Sequence, residues 1–428
     1  MSKVRIGDLF ELEKGSLQSS KCTEGEFDFI TASKEWKTHN DFSHDFEALI
    51  FAAMASGSLG RTHYVNGKFI TSDLCYILTP KDNDKFPIDL KFYHFVFNSL
   101  KEEIVKNTKS GTSKEAINQT NLKNYEIPYF GIEQQHLWIE KLLKTKSIKE
   151  DLTDETKTQE SLLKKLRKKI LQDAIEGKLT ASWREQNHNV ESASILLEKI
   201  KAEKEQLVKD KKIKKQKPLP PIDKEEIPFD IPDSWERCRL GTVSSKIGSG
   251  STPRGSNYSD EGIAFFRSQN IHNKGLVYSD IKYIHNETHK KMSGTQVFPE
   301  DILLNITGGS MGRCAYVPKE FDDANLSQHV CIIRAILLNP IYLHNLVLSP
   351  IFQTMIFSST TGAGREGLPK NNLEQFVIPV VPLEEQNEIV KKIESLFKVC
   401  DDLEEQINSS KTNSQTLMQS VLKEAFEK

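Results

Sequence analysis

The sequence predicts an α+β protein: two similar mixed domains, each followed by a long helix, with the two helices packed on one another. Three observations carry this. Residues 111–176 align without a gap onto 362–427 at a shift of 251, and fifteen of the 66 pairs are identical, where composition alone would give roughly 4. A second block repeats at a shift of 252, Gly57-Ser58-x-Gly60-Arg61-x-x-Tyr64-Val65 against Gly309-Ser310-x-Gly312-Arg313-x-x-Tyr316-Val317. Neither Pro nor Gly interrupts 133–176 or 384–427, and a helix of that length spans about 66 Å.

The first domain is expected over 1–132. Apolar runs at 48–53, 69–70 and 74–78, broken by Gly, Asn and Ser, read as strands. Helical stretches are expected near 88–107 and at 31–37. A long central helix follows over 133–180. A charged connector, 181–234, then carries an amphipathic stretch (193–212), a polybasic run (Lys211-Lys212-Ile213-Lys214-Lys215) and the extended segment Lys217-Pro218-Leu219-Pro220-Pro221. Trp235 is expected to anchor this connector to the domain edge. The second domain, 235–383, has the same grammar. Residues 302–306 correspond to 50–54, 330–333 to 74–77, and 342–357 to the helical stretch near 88–107. Both domains close on an Ile-Pro step, 127–128 and 378–379, where the missing donor of proline is expected to end a strand.

The C-terminal helix, 384–428, keeps a 4-3 apolar spacing through Ile389, Ile393, Leu396, Cys400, Leu403 and Ile407. It passes the polar Ser410 and Ser414, then resumes at Leu417 and Val421. The first helix has a weaker seam through Trp138, Leu142, Leu152, Leu163, Leu166 and Ile170. A half-apolar helix of this length is poorly stable alone, and each has a partner of matching length in the same chain.

With 58 basic and 60 acidic residues the chain is close to neutral, so bulk charge does not make it a polyanion binder. The charge is uneven, however. Residues 161–217 hold 16 Lys+Arg against 8 Asp+Glu, a surplus that reads as a solvated helix face or as a contact for phosphates or an acidic partner. The six cysteines have no CxxC pair and no nearby His at zinc spacing, so they read as reduced thiols of a cytoplasmic protein, and no metal site is expected. No apolar run reaches the length of a membrane span.

Catalytic signatures are missing. Gly308-Gly309-Ser310-Met311-Gly312-Arg313 and Gly248-Ser249-Gly250 are Gly-rich but lack the Lys-Ser/Thr of a P-loop. There is no GxGxxG between a strand and a helix, and no Asp/Asn-Pro-Pro-Tyr/Phe turn of an amino-methyltransferase. Asp73, the one strand-end carboxylate at the repeated frame, aligns with His329 and is not kept by the repeat. A stand-alone enzyme is therefore disfavoured, and no catalytic residue is assigned.

The candidate functional residues lie in loops. Gly57, Ser58 and Arg61, with Gly309, Ser310 and Arg313, form the repeated turn. Its backbone amides could approach phosphates while the arginine contacts phosphate or guanine. The plain alternative is a tight turn whose arginine meets a surface carboxylate. Arg267, Gln269 and Asn270 carry the side chains that pair bidentately with guanine and adenine, and Ser33 and Lys34 are their counterparts. Lys114 and Arg365 are paired by the repeat just after Gly111 and Gly362. Similar scaffolds with different polar tips suit two readers of different sequences. The competing reading is a coiled-coil structural or adaptor protein whose duplicated domains bind protein.

Several stretches resemble the specificity subunits of type I restriction-modification systems: 378–390 (IPVVPLEEQNEIV), 166–179 (LRKKILQDAIEGKL), the connector KIKKQKPLPPIDKEEIPFDIPDSW with Arg239-Leu240-Gly241 after it, and Gly250-Ser251-Thr252-Pro253. The resemblance covers essentially the whole chain. It implies two target-recognition domains that each read half of a bipartite site in double-stranded DNA. It also implies that the two helices form an antiparallel coiled coil that sets the half-site separation, so matched insertions in both would change that spacing. Two modification (methyltransferase) subunits would dock on the chain and use S-adenosylmethionine, and restriction subunits using ATP and Mg can join them. The chain itself would bind no cofactor. Gly131 stands where the second copy has Pro382, and the chain ends at Lys428 where the first copy continues Gly177-Lys178-Leu179.

Overall fold

The computed structural model describes residues 2–54, 57–110, 115–226, 229–253, 255, 258–361 and 367–426. The chain divides into two compact units, 1–158 with 406–428, and 159–405. Each holds one mixed domain and a part of each long helix, Ile132–Ile175 and Leu383–Phe426.

In the first unit a six-stranded sheet has the order Phe10–Lys14, Cys75–Pro80, His44–Ala52, Thr62–Thr71, Phe27–Ile30, Lys37–His39. Side chains alternate across it. Ile30, Ala48, Ile50, Val65, Phe69 and Ile77 fill one face. Phe10, Leu49, Phe51 and Leu78 fill the other, with Tyr93, Phe97 and Ile104 from helices Leu90–Ser99 and Lys101–Thr108. Phe10 meets Tyr93 and Phe97 edge-on, at 5.3 and 5.7 Å between ring centroids. The expected helix at 31–37 is absent. Residues 31–36 are loop and Lys37 opens a strand, because this segment is tied to a neighbouring turn, as described below.

The second unit carries the same pairing, broken into two four-stranded sheets. One runs Ser244–Ser249, Val330–Ala335, Ile302–Asn305, Cys314–Tyr316; the other Lys282–Ile284, Ile263–Phe266, Ala324–Leu326, Gln296–Val297. The register corrects two expected correspondences by one residue. Ala52 pairs with Cys75 in the first unit and Asn305 with Val330 in the second, so Ile50 matches Leu303 rather than Ile302. The face each residue lines agrees, since Leu303 and Ile332 share one cluster while Ile302 and Ile333 share another. A slip of one residue turns every side chain to the opposite face of a strand, so burial decides the match where sequence identity alone does not.

The Ile-Pro steps sit inside short strands, Glu126–Tyr129 and Val377–Val380, rather than ending them. Pro128 faces Lys3 and Pro379 faces Arg237 in two-stranded ladders, which leave one edge unpaired and so tolerate a missing donor. Tyr93 and Tyr342 each donate their hydroxyl to the carbonyl of that proline, both at 3.3 Å.

The repeated glutamine after each Ile-Pro step pins the start of the long helix. Gln135 Nε2 donates to Pro87 O (2.8 Å) and Phe130 O (2.7 Å), and its Oε1 accepts from Asp89 N (2.8 Å). Gln386 Nε2 donates to Val381 O (2.7 Å), and its Oε1 accepts from Asn339 N (2.8 Å). Asp89 and Asn339 in turn cap helices Leu90–Ser99 and Pro340–Leu348.

Within the second unit the two long helices run antiparallel. Arg167 Nη2 reaches Asp401 (2.6 Å) and Glu404 (3.2 Å), and Lys392 Nζ donates to Leu179 O (2.9 Å). The seam is offset from the expected one. Ile170, Ile393, Cys400 and Ile407 are buried, as is Leu142, while Leu166, Leu396 and Leu403 are 44%, 38% and 39% exposed. The buried stripe passes instead through Ile393, Phe397 and Cys400, and the Arg167 guanidinium lies 5.3 Å from the Phe397 ring centroid. A charged stem can cover apolar surface while its head stays wet, which hydropathy alone does not register. Leu152, Leu417 and Val421 are half-buried, and the polar interruption falls on the buried Thr156 and Ser414.

The connector is held to the second unit. Helix Ala193–Lys209 buries Ala193, Leu196, Leu197 and Ile200 at helical spacing. Arg239, almost fully buried, grips the Pro-rich strap through Pro220 O (3.1 Å), Pro221 O (2.6 Å) and Glu226 (2.6 and 2.7 Å). The Arg239 hydrogen bond draws the Glu226 carboxyl down to about 2. A carboxyl lowered by folding stabilises above its unfolded value, and that contribution is lost as the pH falls through the folded one. The Arg239–Glu226 part of the strap contact therefore persists through pH 4 and weakens towards pH 2. Arg239→Ala is expected to speed tryptic cleavage at 211–217 by about tenfold, the equivalent of about 1.4 kcal/mol of local opening. Digestion followed by mass spectrometry checks it, and an unchanged rate would count against the clamp.

Candidate nucleic-acid interface

In each unit, strand ends place several loops side by side. In the first, Ala53 N and Met54 N donate to Leu74 O, both at 3.0 Å, and Ile117 N donates to Ala53 O (2.8 Å). In the second, Ile306 N donates to His329 O (3.0 Å) and Leu368 N to Ile306 O (2.9 Å). The repeated turn lies beside these contacts. Positive φ occurs at Gly57 (+77°), Gly60 (+78°) and Gly312 (+84°), and in the second turn at Gly308 (+71°) rather than at Gly309, the sequence counterpart of Gly57; such conformations disfavour other residues. The closing bonds match: Gly60 N to Ala52 O (2.8 Å) and Arg61 N to Ser58 O (3.0 Å), against Gly312 N to Asn305 O (2.9 Å) and Arg313 N to Ser310 O (3.1 Å).

The structure brings Ser58 and Arg61 together with the loop that carries Ser33 and Lys34. Arg61 Nη1 donates to Ala32 O (2.9 Å) and to Ser58 Oγ (3.1 Å). Ser33, Lys34 and Gly57 are exposed. Trp36, 38% exposed, donates its indole N–H to His63 Nδ1 (3.2 Å). Burial, with the charge of Arg61 adding to it, holds His63 below its usual range, so the ring is a neutral acceptor for that bond. Neither Trp36 nor His63 was predicted. An exposed tryptophan just after the Ser33-Lys34 tip is the sequence signal that could have found them.

In the second unit Ser310 meets the loop of Arg267, Gln269 and Asn270. Asn305 Nδ2 donates to Ser268 O (2.8 Å) and Ser310 Oγ (3.1 Å). Gln269, Gly309 and Arg313 are exposed, and Arg313 makes no side-chain hydrogen bond or ion pair among the described residues. Arg267 is half-buried and donates to Asp280 O (2.6 Å). Asn270 departs from its expected role as a base contact. It is fully buried, accepts from Arg267 N (3.1 Å) and donates to Val277 O (2.9 Å) and Ser279 O (3.2 Å). Its amide is consumed in shaping the loop, which leaves Gln269 as the amide facing solvent. Lys114 and Arg365 lie outside the described residues.

The alignment of Asp73 with His329 is also corrected. The carbonyl that Ala53 N reaches belongs to Leu74, and the one Ile306 N reaches belongs to His329, so His329 matches Leu74. The first unit thus has Met54 beside Leu74 where the second has Thr307 Oγ1 bonded to His329 Nδ1 at 2.7 Å. One surface offers an apolar pair and the other a polar pair on the same frame. Such a difference distinguishes a thymine methyl from hydrogen-bonding base edges. No helix among the described residues is long and apolar enough to cross a membrane.

Comparison with known proteins agrees with this architecture. The family model described as "Type I restriction modification DNA specificity domain" matches residues 1–160 and 232–410. The type I restriction enzyme EcoAI specificity subunit of Escherichia coli is 32% identical over 261 residues, 59% of this chain and 43% of that protein. The chain thus spans under half of that relative's length in the alignment. The EcoDI specificity subunit of Escherichia coli is 23% identical over 439 residues, covering 99% of this chain and 87% of that one. A solved structure reported for complex assembly and conformational transition of the type I R-M system superposes with a TM-score of 0.60 at 17% identity, covering 99% of this chain and 97% of its own. At that identity the likeness establishes the fold. With both halves matched by one family model, the chain belongs to the type I restriction modification DNA specificity domain family.

Proposed function

We propose that the chain is the sequence-reading, non-catalytic subunit of a type I restriction-modification complex and recognises a bipartite site in double-stranded DNA. The observation that carries this is one duplicated frame bearing different polar tips. Ser33, Lys34, Met54 and Leu74 in one copy stand against Arg267, Gln269, Thr307 and His329 in the other. A duplicated adaptor for protein would have no need of chemically distinct loops on matched turns. Residues 1–132 and 235–383 act as the two target-recognition domains. The helices 133–180 and 384–428 act as the spacer, and 181–234 joins the halves. Modification subunits dock on the chain in the cytoplasm and supply S-adenosylmethionine chemistry, and ATP is used by restriction subunits where these join.

Selection of a randomised duplex library by the full chain, co-expressed with type I modification subunits, tests this reading. The expected outcome is enrichment of two different half-sites at a constant separation. Affinity for the selected duplex should fall with salt, in proportion to the phosphates contacted. Enrichment of no duplex would favour the adaptor reading.

A further inference from the structure

The two repeated turns share a frame but not the group that ties it to the neighbouring loop. In the second unit that group is Asn305, whose Nδ2 bonds Ser268 O and Ser310 Oγ at 2.8 and 3.1 Å. In the first unit the matching acceptors, Ala32 O and Ser58 Oγ, receive Arg61 Nη1 at 2.9 and 3.1 Å. Backbone bonds establish the match independently of sequence identity. Ala52 N donates to Arg61 O (2.8 Å) as Asn305 N donates to Arg313 O (2.8 Å), so Ala52 occupies the place of Asn305. Ser72 N donates to Ile30 O (2.9 Å) as Ser327 N donates to Phe266 O (2.9 Å), so Ala32 and Ser268 each lie two residues beyond matched strand ends.

The alanine at 52 has no side-chain donor, and the Arg61 guanidinium supplies one in its stead. In the second unit both acceptors are already occupied by Asn305, so the frame makes no demand on Arg313. Its side chain is exposed and has no partner among the described residues. The two arginines align in the repeat, yet their surroundings give them different work. Resting on the DNA-reading function above, we propose that Arg61 is a positioning residue that clamps the 31–34 loop onto the 57–61 turn, whereas Arg313 reaches the duplex itself. An unencumbered guanidinium offers a planar fork of donors to a phosphate or to the O6 and N7 of guanine.

The test uses the full chain, the duplex it selects, and variants Arg61→Ala, Arg313→Ala, Asn305→Ala and the pair Arg61→Ala with Ala52→Asn. Arg313→Ala is expected to keep the melting temperature and lose about tenfold or more in affinity, with a salt slope shallower by about one if its contact is a phosphate. Arg61→Ala and Asn305→Ala are each expected to lower both melting temperature and affinity. Adding Ala52→Asn to Arg61→Ala is expected to restore both, because asparagine there returns the missing donor. If melting recovers while affinity stays low, Arg61 itself contacts DNA and the assignment is overturned. Wild-type affinity in Arg313→Ala overturns the second half of the proposal. Wild-type affinity in Asn305→Ala, a buried residue that cannot reach a duplex, overturns a role for the clamp in recognition even if Ala52→Asn fails to fold. Should the wild-type chain select no duplex, the DNA-reading function fails. The melting data still decide the clamp: rescue by Ala52→Asn supports it, and absence of rescue overturns it.

Discussion

Glu385→Ala is expected to lower the melting transition of the second unit by roughly 10 °C, from a loss of about 3–5 kcal/mol. Glu385 is fully buried at the start of the second long helix. Its Oε1 accepts from Thr180 Oγ1 (2.6 Å) and from Arg184 Nε and Nη2 (3.1 and 2.8 Å), and its Oε2 accepts from Trp235 Nε1 (2.8 Å). Arg184 also donates to Gly177 O (2.7 Å), where the first long helix has just ended, and lies 5.5 Å from the Trp235 ring centroid. One carboxylate therefore joins the end of one helix, the start of the other and the connector. Removing it leaves the Thr180 hydroxyl and the Trp235 indole without their acceptor and takes the countercharge from the half-buried Arg184 guanidinium, which costs far more than the net worth of the bonds. Glu385→Gln, which keeps an acceptor oxygen for the indole or for Thr180, should lose much less. Calorimetry on the full chain separates the two variants, and equal melting of Glu385→Ala and the native chain would show that water replaces the network.

The second large effect concerns the repeated glutamines. Gln135→Ala and Gln386→Ala are each expected to cost about 2–3 kcal/mol, the penalty for leaving a cap amide and one or two carbonyls buried without partners. Each variant should destabilise the unit that contains it, so calorimetry should show different transitions affected in the two cases. The glutamate of the same repeated pair behaves differently. Glu133 and Glu384 are exposed in the first turn of their helices, where a negative charge is favourable but contributes only about 0.3–1 kcal/mol. Substituting either is expected to leave melting nearly unchanged.

Much of this architecture was legible in the sequence. The duplication, the two uninterrupted helices, the charged connector and the pairing of the Thr31–Lys34 loop with Arg267–Asn270 all follow from patterns that local chemistry imposes. These are the periodicity of apolar residues, the punctuation by Gly and Pro, and identities at a fixed shift. The resemblance carried by the Ile-Pro and Gly-Lys-Leu stretches placed the chain in its family before any contact was known.

Particular side chains were less legible, for reasons that lie outside a one-dimensional alignment. The helix seam missed Phe397 because an arginine covers it, and Leu166, Leu396 and Leu403 looked like core only by hydropathy. Asn270 looked like a base reader because an asparagine carries the same donors and acceptors whether it meets adenine or its own loop; burial on every side decides between them. The strand register was one residue off because few identities survive in strands, where many apolar residues fill the same space.

The repeated Gly-Ser-x-Gly-Arg turn marks the division most clearly. By itself the sequence determined that the turn exists twice and that an arginine follows each. Only the tertiary structure decided which of those arginines is engaged within the fold. Whether a guanidinium is engaged or available depends on the donor opposite it, and that donor, Asn305 in one unit and absent from Ala52 in the other, comes from a strand whose match to its counterpart is set by hydrogen bonding and burial. Identical residues in a duplicated frame can therefore diverge in role through a substitution several residues away, because a partly buried carbonyl and hydroxyl take a donor from whichever side chain can reach.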